Sequence, residues 1–193
     1  MKTVLMAVAA LGAVAFAPAA GAQSLFDQPA ACQAAPDVYA VVGGQRTVMR
    51  AIVVSTRTQA RPFAGVRQYA VMPGPAAQVR VASDATFIVA APSNVQPQGM
   101  ITLAWFETRG NVREILVGGG YMSYSTGIHP DRIIQVTMTQ ASSQSGAPAG
   151  MTLYTVTPNA PLAGGEYALV VMGQMQQGYA GIPGTFYDFG VDG

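Results

Sequence analysis

Apolar and polar residues alternate with a period of two along most of the chain. Val48, Arg50, Ile52 and Val54 share one parity, and Met49, Ala51 and Val53 the other. Ile101, Leu103 and Trp105 alternate in the same way with Thr102, Ala104 and Phe106. Further runs rich in Val, Ile, Tyr, Phe or Thr cover residues 66–72, 78–81, 86–90, 112–117, 132–139, 151–156, 167–172 and 185–191. Turn residues separate them, as Pro73-Gly74-Pro75 does for the runs over residues 66–72 and 78–81. Successive side chains of a strand point to opposite faces, so this pattern predicts strands. No stretch keeps apolar residues at i, i+3, i+4 and i+7 over three turns, so no amphipathic helix is expected. About nine or ten short strands with Gly/Pro punctuation predict an all-β domain, a single antiparallel β-sandwich.

The clearest hairpin joins residues 101–107 to 112–117 around Arg109-Gly110. With Thr108 opposite Asn111, Trp105 opposes Glu114, Phe106 opposes Arg113 and Leu103 opposes Leu116. That register predicts a cation–π contact of Arg113 with Phe106. It also sets Glu107 diagonal to Glu114 on one face, about 7–8 Å apart.

The first residues follow a different pattern. Met1-Lys2 precedes an apolar run over residues 4–17, then Pro18 and Ala19-Ala20-Gly21-Ala22. A positive start, a short apolar core and an A-x-A site predict a secretory signal peptide over residues 1–22, cut after Ala22. The run is too short and too Ala-rich for a membrane anchor, and no later segment approaches a span. Residues 23–36 are Ala/Gln/Pro-rich and are expected to be a flexible leader. Residues 37–193 form the sandwich domain.

Composition sharpens this picture. Half of the 193 residues are hydrophobic and 10% are charged, with a formal net charge of +1. Low charge with high hydrophobicity excludes a disordered chain. The charge balance gives no basis for nucleic-acid binding. Lys2 is the only lysine, so the chain after Ala22 carries nine Arg and nine acidic residues and is formally neutral. Near-zero charge favours association.

The stretch Pro161-Leu162-Ala163-Gly164-Gly165-Glu166-Tyr167-Ala168-Leu169-Val170-Val171 resembles the approach to the penultimate strand of immunoglobulin-like and fibronectin type III-like sandwiches. The resemblance implies a corner built on Leu162, Gly165 and Tyr167, whose hydroxyl bonds back to the preceding backbone. It implies that residues 185–191 form the closing strand. The core Cys pair of the immunoglobulin family is absent.

Few residues carry chemistry. There is no G-x-S-x-G elbow, and His129 is the only His, in a turn before Pro130. One His cannot build a blue-copper site, which needs two with a Cys. No Cys/His spacing suits zinc, so neither a metal nor a cofactor is expected. Gly118-Gly119-Gly120 lacks the context of a phosphate loop and predicts a bulge, bend or turn. Cys32, the single cysteine, is a candidate for an intermolecular disulfide. The loop over residues 173–184 presents Met175, Gln176, Tyr179 and Ile182 as a candidate partner-binding surface.

The expected function is that of a secreted or periplasmic envelope module, not an enzyme. It binds a protein partner or a second copy, with glycan as a further partner class. One alternative is a secreted carbohydrate-acting hydrolase, which needs at least two of Glu107, Glu114, Asp131, Glu166 and Asp188 to converge in a cleft. The other is a small-ligand or metal carrier.

Overall fold

A computed structural model describes residues 38–42, 44–62, 65–120, 125–172 and 184–193. The chain divides into residues 1–33 and 34–193, and every described residue belongs to the second unit. The signal-peptide stretch and the whole leader, Cys32 included, lie outside the described residues, as does all of the 173–184 loop but Gly184.

Fifteen strands are described. They are β1 (Val38–Val42), β2 (Gln45–Val48), β3 (Ala51–Ile52), β4 (Ser55–Arg61), β5 (Gly65–Pro73), β6 (Arg80–Val81), β7 (Thr86–Pro92) and β8 (Ile101–Arg109). They continue as β9 (Val112–Gly120), β10 (Ser125–Thr126), β11 (Ile133–Ile134), β12 (Val136–Gln140), β13 (Met151–Pro158), β14 (Gly165–Val171) and β15 (Thr185–Val191). All pairings are antiparallel except the short parallel contact of β6 with β15. One sheet runs β12-β13-β7-β1-β2, and the other runs β3-β15-β14-β8-β9-β5-β4. The fold is all-β, as the alternation predicts.

The two sheets enclose a core. Phe87, Val89 and Val156 from the first sheet meet Leu103, Tyr167, Leu169 and Phe189 from the second. Tyr167 stacks on Phe189 with centroids 5.6 Å apart. The opposite parity of β8, β14 and β15 is buried too. Ala104, Phe106, Ala168, Val170 and Phe186 pack against Ala70 and Met72 of β5 and Ile115 and Val117 of β9. Strands β9, β5 and β4 thus form a wing over the outer face of the second sheet. This explains why β14 is apolar at every position from Tyr167 to Val171, and why β8 from Ile101 to Phe106 is apolar at every position but Thr102: each faces a core on both sides.

Strands β1, β4 and β10 lie where no strand was predicted, and β2 meets a predicted run only at Val48. Strand β4 reads Ser-Thr-Arg-Thr-Gln-Ala-Arg and pairs only with β5. At the edge of the wing it has no apolar face to bury, so it leaves no hydrophobic period. The Gly118–Gly120 triplet runs within β9, next to an irregularity that pairs Gln68 with Gly118 but Tyr69 with Leu116, leaving Val117 unopposed. A Cβ on Gly119 would meet the Val66 carbonyl at 2.7 Å, so only Gly allows that approach.

At the entrance to β14, Tyr167 Oη donates to the Ala163 carbonyl at 2.8 Å, and Leu162 is buried in the main core. Burial raises the Tyr167 phenol above its ordinary 10.0. The unfolded phenol therefore ionises first, and stability contributed by this group is present below about pH 10 and is lost as pH rises further. Tyr167→Phe is expected to cost about 0.5–1.5 kcal/mol near neutrality. It is also expected to flatten the alkaline loss of stability relative to the wild type. Urea titrations at about pH 8 and pH 10.5 measure both effects. An identical pH slope in the two proteins would contradict the burial argument.

Candidate functional site

Strands β8 and β9 form a hairpin with a two-residue loop, Gly110-Asn111, and Gly110 adopts φ +59°. Arg109 opposes Val112, Thr108 opposes Arg113, and Glu107 opposes Glu114. This corrects the expected register by two residues. Trp105 does not face Glu114 across the hairpin, Phe106 does not face Arg113, and the two glutamates stand directly opposite rather than diagonal. A shift of two keeps every side chain on its predicted face. The expected Arg113–Phe106 contact gives way to two other stacked pairs, Arg132 over Trp105 at 4.2 Å and Arg57 over Tyr69 at 4.7 Å.

After three pairs the strands part. Strand β8 takes β11 as its next neighbour, while β9 continues along β5 and β10. The connecting segment fills the gap, with Gly127 and His129 donating backbone bonds to the Val117 and Leu116 carbonyls. A cavity of about 280 Å³ opens at this fork. Its wall comprises Arg67 and Tyr69 from β5, Glu107 and Arg109 from β8, Glu114 and Leu116 from β9, and His129, Asp131 and Arg132 from the connection.

Like charges directly opposite on neighbouring strands repel. Here guanidinium groups separate them. Arg109 Nη2 lies 3.1 Å from Glu107 Oε1, and its Nε lies 3.2 Å from Glu114 Oε1. Arg132 Nη2 donates to Glu107 Oε2 at 3.1 Å, and Arg57 Nη2 to Glu114 Oε2. Every carboxylate oxygen of the pair thus has an arginine nitrogen beside it. Glu114 is 3% exposed, and its Oε1 makes the ion contact without a hydrogen bond. Arg132 Nη1 is buried without one as well. His129 Nδ1 lies 3.4 Å from Asp131 Oδ2, both side chains being open to solvent.

Three of the five acids singled out in the sequence, Glu107, Glu114 and Asp131, therefore line one cavity. Glu166 and Asp188 join a separate cluster. Arg113, 2% exposed, donates to Asp188 Oδ2 at 2.6 Å and to the Pro73 and Gly74 carbonyls. Glu166 accepts from Arg80 Nη1 and the Ala77 amide, both at 2.7 Å. Arg80 also reaches Asp192. These carboxylates raise the Arg80 guanidinium above its ordinary value, the Glu166 hydrogen bond most strongly. The cluster closes one end of the second core and ties β9 and β5 to β14 and β15.

The corner residues Leu162, Gly165 and Tyr167 lie together at the start of β14, away from the cavity wall. Met175, Gln176, Tyr179, Ile182 and Cys32 lie outside the described residues. Sequence reasoning missed Arg57, Arg67, Tyr69 and Arg132. Arg67 and Tyr69 share a parity on one predicted strand, which was the one legible sign that they face the same way.

Among the described residues no helix is long and apolar enough to cross a membrane. Among the same residues no group of three or more His, Cys, Asp and Glu side chains is placed to hold a metal ion. Among the described residues, both edges of the first sheet lack a further strand. Strand β2 has four exposed residues and pairs only with β1. Strand β12, Val-Thr-Met-Thr-Gln, pairs only with β13 and carries no charge. The chain matches no protein-family model, no curated protein and no solved structure at a significant level.

Proposed function

We propose that this protein is a secreted or periplasmic envelope module that associates through its sheet edges, with an immunoglobulin-like wiring. The wiring reading draws on strand order. Strands β1-β7-β13-β12 follow the A-B-E-D order of an immunoglobulin sheet, and β8-β14-β15 follow C-F-G. The bond from Tyr167 to Ala163 stands at the expected corner before strand F. The family hosts unrelated activities, so wiring alone carries no function.

The observation that carries the association reading is β12. Natural edge strands are guarded by charge, proline, bulges or covering segments. Strand β12 keeps five residues in unbroken register with β13, from Val136↔Pro158 to Gln140↔Tyr154. It has no charge, and no described strand covers its other side. A formally neutral chain adds little long-range repulsion between copies. Two copies pairing β12 antiparallel about a twofold axis would satisfy both edges at once.

The hydrolase alternative draws on the convergence of Glu107, Glu114 and Asp131. It is the weaker reading, because all four oxygens of the glutamate pair already sit beside arginine nitrogens. Guanidinium charge at each oxygen favours the ionised carboxylates, which disfavours a proton donor to a leaving group.

Sedimentation of the purified secreted protein over a hundredfold concentration range tests the proposal. A dimer that forms with concentration, and that Thr137→Lys with Thr139→Lys abolishes, is the expected result. Both positions are exposed on β12, so a charge there blocks pairing without entering the core. A monomer throughout the range, or a dimer unaffected by the two lysines, overturns strand addition between copies.

A further inference from the structure

We propose that the cavity at the β8–β9 fork binds a small oxyanion, a carboxylate- or phosphate-bearing molecule about the size of one sugar ring. The site is separate from the β12 edge, and the inference does not depend on association. Its size comes first. About 280 Å³ lies at the lower limit of small-molecule sites.

The choice of anion follows from which charges are already satisfied. Glu107 and Glu114 each have two arginines beside them, so a cationic ligand would meet guanidinium charge at both. Asp131 is beside His129. The donors are in surplus. Arg67 lines the cavity, is exposed, and makes no ion pair or side-chain hydrogen bond among the described residues. Arg132 lines it too, and its Nη1 is buried without a hydrogen bond. The wall carries Arg67, Arg109 and Arg132 against Glu107, Glu114 and Asp131. Arg57 pairs with Glu114 without lining the cavity, so with it the four guanidinium groups outnumber the three carboxylates by one. Guanidinium donors match the planar or tetrahedral oxygens of carboxylate and phosphate. Tyr69, held under Arg57, supplies a ring at the wall for the body of such a ligand.

Trp105 is the only tryptophan, and Arg132 lies 4.2 Å over its ring. A ligand engaging Arg132 therefore changes the protein's tryptophan emission. The experiment titrates the full secreted protein with inorganic phosphate and, separately, with glucuronate. Ionic strength is held constant with sodium chloride, and glucose serves as the neutral control. A saturable emission change with phosphate, glucuronate or both, absent with glucose, is the expected result; the pattern tells phosphate from carboxylate. Arg67→Gln is expected to weaken binding at least tenfold, since this side chain supports no described contact of the fold. Arg50→Gln, an exposed arginine outside the cavity, is expected to bind as the wild type does. No saturable response to either anion, or equal affinity in Arg67→Gln, overturns the assignment.

Discussion

Arg113→Ala is expected to destabilise the domain by about 3–5 kcal/mol, because it leaves carboxylates without their buried partner. The Arg113 side chain is 2% exposed and ends 2.6 Å from Asp188 and 3.6 Å from Glu166. It also satisfies the carbonyls of Pro73 and Gly74, which the shorter side chain would leave unbonded. Glu166 keeps Arg80 and the Ala77 amide, whereas Asp188 loses its guanidinium partner. The double variant Arg113→Met with Asp188→Leu removes both charges and is expected to lose less than Arg113→Ala alone. Urea denaturation followed by Trp105 emission measures both. A loss below about 1 kcal/mol for Arg113→Ala would show that the cluster does not fasten the wing.

Phe106→Ala is expected to cost about 3–5 kcal/mol, the usual range for emptying a buried aromatic site. Phe106 is buried and meets Phe186 edge-on, with centroids 6.2 Å apart and planes at 84°. It lies between β14–β15 and the wing, so the loss falls on the contact that holds β5 and β9 down. Trypsin has Arg57 and Arg67 available on the wing, and cleavage there is expected to accelerate in the variant. Unchanged stability together with unchanged cleavage would mean that the second core does not anchor β5 and β9.

Much of the fold was legible because strand formation is local. The alternation of Ile101, Leu103 and Trp105 with Thr102, Ala104 and Phe106 marks a strand without reference to any neighbour. The same holds for residues 86–90, 151–156 and 185–191. Strand β4 escaped because an exposed polar edge has no apolar period to display. The hairpin register escaped because one tight turn, with Gly110 at positive φ, moves the pairing by two while leaving each face intact.

The sequence by itself determined that the chain forms strands, that β14 is apolar from Tyr167 to Val171, and that Glu107 and Glu114 share a face. It determined the corner motif at Tyr167 as a pattern of residues. Only the tertiary structure decided that β9 leaves β8 to form a wing. Only it decided that Arg67, Arg109 and Arg132 meet around a cavity, and that Arg113 is buried against Asp188 rather than placed over Phe106. The physical reason is range. Side-chain alternation follows from the backbone of one strand. Charge neighbours depend on where strands far apart in sequence pair, and pairing is set by turn geometry and by the total apolar area that the sheets can bury.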